Sequence, residues 1–195
     1  MATRTQSTDP RAERVRAKLI DAAFALAHER PVDQLTVGDL VARAGVSRQV
    51  FYRHFSDRDD AIASSFAIAF AAATADLDAE PRNRILRIFG LAAEHRAMYR
   101  NVVPSAVAQR VIAAFRAELL PACEELAARA LPVVGAAAGL EPGAVSRFLV
   151  GGFQEVLRSW MEDPGESGQA TDLLGRVTVA LDTVDALLSR PDVTT

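Results

Sequence analysis

Half of this 195-residue chain is hydrophobic and 24% is charged, enough apolar material for a folded core, which excludes a disordered chain. The net charge is −3, a single cysteine excludes an internal disulfide, and one Cys with three scattered His argues against a structural zinc site. The opening residues MATRTQSTDPRAER lack the apolar core of a secretory signal, and no run approaches the roughly 18 apolar residues of a membrane span. A soluble cytoplasmic protein without a cofactor is the expectation. Charge is spread unevenly: Met1 to Arg58 holds ten Lys/Arg against seven Asp/Glu, net +3, whereas the rest holds twelve Arg against eighteen acids, net −6. A basic front and an acidic rear suggest that only the front meets a polyanion.

In chain order, Val15, Leu19, Ala22 and Leu26 recur at helical spacing and predict a first helix from about Arg11 to Glu29, closed by Arg30-Pro31. TVGD, from Thr36, has the form of a capping box and opens a second helix with Leu40, Val41 and Ala44 on its inner face. Gly45 suits the left-handed position that ends a helix, and Ser47 suits the N-cap of a third helix from Arg48 to about His54. Helix, glycine turn and short helix make a helix-turn-helix. Longer apolar helices follow over about 57–77 and 82–101, with another starting near Pro104 and interrupted or kinked at Pro121 and Pro132. Glu141-Pro142 opens a helix to about Glu162, DPGESG is a loop, and a last helix covers about 169–189.

The second helix of a helix-turn-helix lies in the major groove with its first residues on base edges. Arg48 has the donors for guanine, Gln49 the donor and acceptor for adenine, and Val50 a methyl for thymine. Phe51, Phe55 and Val46 anchor the helix, leaving Tyr52, Arg53 and His54 outward, within reach of phosphates. Arg58 adds a cation near the free amides of the next helix start.

The string from Leu19 to Ile62 resembles the amino-terminal domain of the tetracycline-repressor (TetR-like) family of bacterial transcription factors. The matching pieces are LIDAAFALA, LTVGDLVARAGVS, FYRHF and SDRDDAI, and the resemblance covers roughly residues 11–62. Two departures stand out: Ala27 replaces the aromatic residue that often ends the family's first motif, and Arg30-Pro31 replaces an expected glycine. The resemblance implies an all-α fold of about nine helices, with a DNA-binding domain over 1–56 and a helical ligand-binding and dimerisation domain over 57–195. It also implies phosphate contacts from Thr36, Ser47, His54 and Arg58, base reading by Arg48 and Gln49, and a shared role for Tyr52.

The resemblance also implies a homodimer on a (pseudo)palindromic operator, released by a small, mostly apolar effector. Val145, Leu149, Gly152 and Val156 align on one helix, and Leu173, Val177, Leu181, Val184 and Leu188 on the last; both stripes serve a dimer interface or pack inside one subunit. Candidate effector contacts are Phe66, Phe70, Phe89, His95, Met98, Tyr99, Phe115, Phe153 and Trp160, each of which, taken singly, is better explained as core packing. His95, Arg96, Tyr99 and Arg100 bring polar groups into an otherwise apolar helix, to orient a ligand or to face water. Cys123 reads as a small core residue. None of HExxH, GxSxG, GxxxxGK[ST] or GxGxxG occurs, so an enzyme is not expected. A DNA-binding regulator without a ligand remains the alternative.

Overall fold

The computed structural model describes residues 10–75, 80–103, 105–138, 141–163 and 170–188. Among them are nine α-helices, one 3₁₀ turn and no strand: α1 Pro10–Glu29, the 3₁₀ turn Val32–Gln34, α2 Val37–Ala44, α3 Arg48–Phe51, α4 Arg58–Thr74, α5 Pro81–Glu94, α6 Arg96–Val102, α7 Ala108–Ala138, α8 Pro142–Glu162 and α9 Ala170–Leu188. Pro104 and residues 164–169 of the expected loop lie outside the described residues.

Two expectations give way. The single helix over 82–101 is two helices, because His95 (φ −106°, ψ 24°) leaves helical geometry and ends α5. Conversely, Pro121 and Pro132 do not interrupt α7, which runs through both over 31 residues. Each proline leaves the carbonyl four residues earlier without its amide partner. Ala117 and Ala128, which own those carbonyls, are exposed residues, on a side of the helix where water can serve the freed oxygens.

The chain forms two compact units, one of residues 1–68 with 97–111 and one of 69–96 with 112–195. The first part of α4 and most of α6 count with the front helices. In the first unit, Leu19, Leu26, Val32, Leu40, Phe51, Phe55, Ile62 and Phe66 are buried, with Met98 and Val102 of α6. The Asn101 side-chain amide donates to the carbonyls of Ala27 and His28 at 2.9 and 3.2 Å, serving the last turn of α1, whose carbonyls have no helical partner. Arg43 of α2 grips Glu29 of α1 through two bonds of 2.8 and 2.7 Å.

The second unit is built on α7, whose Phe115, Leu119, Ala122, Cys123, Leu126, Ala127 and Ala130 are buried. Phe115 meets Phe70 and Phe89 edge-to-face, and Phe89 meets Phe153 of α8. Helix α9 packs on α5 and α8, which buries Leu173, Val177 and Leu181 completely. Cys123 is a core residue, and burial pushes its thiol up to about 12.

Candidate nucleic-acid interface

The reading head is assembled from local signals. Thr36, extended at φ −125°, caps α2: its hydroxyl accepts from the Asp39 amide at 3.2 Å, while its own amide and hydroxyl donate to the Asp39 carboxylate at 2.8 and 2.7 Å. The Thr36 hydroxyl bond, then Arg30 at 2.7 Å, then the Thr36 amide hold the Asp39 carboxyl down at about 2. Gly45 takes the left-handed conformation (φ 67°, ψ 38°), which only glycine adopts without a Cβ penalty, and turns the chain toward α3. Ser47 then accepts from the Val50 amide at 3.3 Å and starts α3.

Helix α3 is shorter than its expected end at His54. After Phe51 the amides of Arg53 and His54 reach back three residues, to Val50 and Phe51, so the last turn tightens toward 3₁₀ geometry. Phe51 and Phe55 are buried, and the Arg16 guanidinium of α1 lies over the Phe55 ring at 5.3 Å. That anchoring presents Arg48, Gln49, Tyr52 and Arg53 to solvent, with Tyr52 59% exposed although its ring touches Phe51 edge-on. Val50 and His54 are half-buried at the edges of this face.

Sequence reasoning missed Gly38. A Cβ at that position would come within 3.2 Å of the Arg48 guanidinium and 3.3 Å of the Thr36 hydroxyl, so the Arg48 side chain lies across the start of α2. No local pattern announces this contact, because it joins two helices. Two expected phosphate ligands are already engaged. Both donors of Thr36 serve Asp39. Arg58 donates to the backbone carbonyls of Leu35 at 2.9 Å and Asp33 at 3.4 Å and pairs with Asp59 at 2.6 Å, tying α4 to the turn before α2. The half-buried Arg58 therefore positions the head.

Residues 19–63 match the profile of bacterial regulatory proteins, tetR family. The chain belongs to the TetR family. It is 30% identical over 149 residues to an uncharacterized HTH-type transcriptional regulator of Mycobacterium tuberculosis, found in strains CDC 1551 / Oshkosh and H37Rv; the match takes in 67% of this chain. The chain spans 61% of the length of those relatives. In fold, this TetR-family chain is similar to a TetR transcriptional regulator from Rhodococcus sp. RHA1 (TM-score 0.58, 18% identity, 93% of this chain and 100% of that one). It is likewise similar to one from Streptococcus agalactiae 2603V (TM-score 0.58, 16% identity, 87% and 95%).

The other expected sites of this TetR-family chain scatter. Phe70, Phe89, Phe115 and Phe153 come together in the second unit, where Trp160 is also buried. Phe66 instead meets Phe24 in the first unit, where Met98 is buried as well; His95 and Tyr99 are half-buried. Of the two α8 and α9 stripes, Leu149, Leu173, Val177 and Leu181 are buried within the single chain, Val145, Val156 and Val184 are half-buried, and Gly152 is exposed. The side chain of Leu188 lies outside the described residues. Among the described residues, the large apolar side chains left open on these helices are Phe148 (78% exposed), Val179 (65%) and Leu187 (72%).

Proposed function

We propose that this chain is a repressor that binds a (pseudo)palindromic operator as a homodimer and lets go when a small molecule occupies its second unit. The observation that carries the reading is the face of α3: Arg48, Gln49 and Tyr52 stand in solvent because Phe51 and Phe55 hold the opposite face in the core. Arg48 and Gln49 read base edges, and Tyr52, Arg53 and His54 meet the backbone. At α3, the amides of Arg48 and Gln49 follow the Ser47 cap and suit a phosphate.

One short helix contacts too few bases for useful specificity, which favours two copies whose reading helices lie about 35 Å apart, one turn of DNA. The copies meet through the open faces of α8 and α9. Phe148 and Gly152 stand one turn apart on α8; Gly175, Val179, Thr183 and Leu187 run along α9. Apart from the local backbone of their own helices and their chain neighbours, nothing among the described residues lies within 4 Å of where a Cβ would sit on Gly151, Gly152 or Gly175, which leaves room for a partner's backbone. The effector favours the conformation that does not fit DNA, since equal affinity for both would shift nothing. The protein acts in the cytoplasm without an enzymatic step; no helix among the described residues is long and apolar enough to cross a membrane.

The test is equilibrium binding of the full chain to duplex DNA from upstream of its own reading frame, between 50 and 200 mM salt. With six to ten phosphate contacts in the dimer, affinity falls roughly 10³- to 10⁵-fold across that range. An affinity that is weak and indifferent to salt contradicts the reading.

A further inference from the structure

Arg96 opens α6 and belongs to the second unit. Its guanidinium lies over the Trp160 ring, 4.6 Å from the centroid. Its Nη2 donates to the carbonyls of Trp160 at 3.2 Å and Asp163 at 3.1 Å, at the end of α8. Those bonds serve carbonyls that a helix end leaves unpaired, which accounts for one nitrogen of the guanidinium. The remainder of the arrangement has no such account. Arg96 Nε is buried without an acceptor, and so is Nε1 of Trp160, a residue with no solvent exposure at all. Buried donors are almost always satisfied, so two orphans on one stacked pair call for an acceptor.

Charge narrows the class of that acceptor. Three other arginines of this unit, the buried Arg84 and the one-third-exposed Arg82 and Arg176, each hold a carboxylate: Glu125, then Asp182 and Asp185, then Asp163 with Asp172. Arg96 has carbonyls and a ring face but no carboxylate among the described residues. A water molecule would satisfy the donors and leave the half-buried guanidinium without a counter-charge. An anion does both. A single cation and two free donors suit a singly charged oxyanion. Phe153 precedes Trp160 by seven residues on the same face of α8, about 10 Å away along the axis, and touches the aromatic group of Phe89, Phe115 and Phe70.

We propose that Arg96 and Trp160 form the head-group site for a small organic carboxylate. This rests on the ligand-responsive reading above and replaces its mostly apolar effector with an amphipathic acid. Arg96 Nε and Trp160 Nε1 donate to the carboxylate oxygens, and the hydrocarbon part lies toward Phe153.

Trp160 is the only tryptophan in the chain, so its emission reports the site directly. The full-length protein, without DNA, is titrated with benzoate and octanoate, and with benzyl alcohol and octanol as uncharged counterparts. The expected result is a saturable emission change with at least one acid, at an affinity at least tenfold above that of the matching alcohol. Thermal unfolding supplies a second readout. The same acid raises the Tm of the parent, raises it less in Trp160→Phe, which keeps a ring and loses the donor, and not at all in Arg96→Gln. Arg96→Lys, which keeps the charge, restores part of the shift. Acids without any saturable response up to millimolar concentration, alcohols that bind as well as acids, or an undiminished Tm shift in Trp160→Phe each overturn the proposal. Because no DNA is present, its failure leaves the operator reading intact, and loss of salt-sensitive DNA binding leaves this site intact.

Discussion

Arg48 and Arg58 carry the same side chain ten residues apart, and their surroundings give them different work. Arg48 stands in solvent on α3, with room over Gly38 and no fixed acceptor. Arg58 is spent on the carbonyls of Leu35 and Asp33 and on Asp59. A charged donor bonded to carbonyls contributes about 1.5–3 kcal/mol when well shielded, and less at partial exposure. Replacing Arg58 by Ala is therefore expected to lower the urea unfolding free energy by about 1–2 kcal/mol and leave the salt slope of DNA binding unchanged. A slope reduced by one unit with stability intact would instead make Arg58 a phosphate ligand. Arg53→Ala, an exposed cation on the same face, is the comparison that does lower the slope.

Helix α2 owes its start to a charge. The Asp39 carboxyl titrates near 2, below its ordinary 3.8, because the Thr36 hydroxyl, Arg30 and the Thr36 amide hold its ionised form. A depressed carboxyl stabilises fully above the ordinary value and is lost as pH falls through the folded one. The urea midpoint of the parent is expected to fall more steeply than that of Asp39→Asn between pH 3.8 and about 2, with the curves parallel above it. Curves parallel throughout would show that the capping box does not need the charge.

This cap, the Gly45 turn and the Ser47 cap were legible because each is local: the residues that make the signal are three or four apart. The same holds for Phe51 and Phe55, whose spacing placed them inward. The break at His95 was not legible, since LAAEHRA contains neither glycine nor proline. The continuity of α7 was hidden for the opposite reason. Proline signals a break, but an exposed helix side gives the freed carbonyls to water. Long-range contacts, such as Arg58 with Leu35 or Arg48 beside Gly38, leave no mark in any short window. The α9 stripe shows the same limit: its period reveals an apolar face, and only packing against α5 and α8 shows that Leu173, Val177 and Leu181 spend it inside the chain.

At the scale of the molecule, separate residue sets serve the core and the proposed partner. Leu173→Ala removes a side chain with no exposure and is expected to cost about 2–5 kcal/mol in unfolding free energy. Phe148→Asp and Val179→Asp, at open positions on α8 and α9, are expected to yield a folded monomer by sedimentation while far-ultraviolet dichroism is unchanged. A dimer that survives both places the contact elsewhere. The reading head itself is tested most directly by selecting bound sequences from a random duplex pool with the full chain and with Arg48→Ala. The full chain is expected to select an inverted repeat whose half-site centres lie about one helical turn apart. Arg48→Ala is expected to relax the preference at one base pair of each half-site, at a cost of about 1–3 kcal/mol. A pool without an inverted repeat, or the same motif from both proteins, would show that α3 does not read the operator through Arg48 in a two-fold pair.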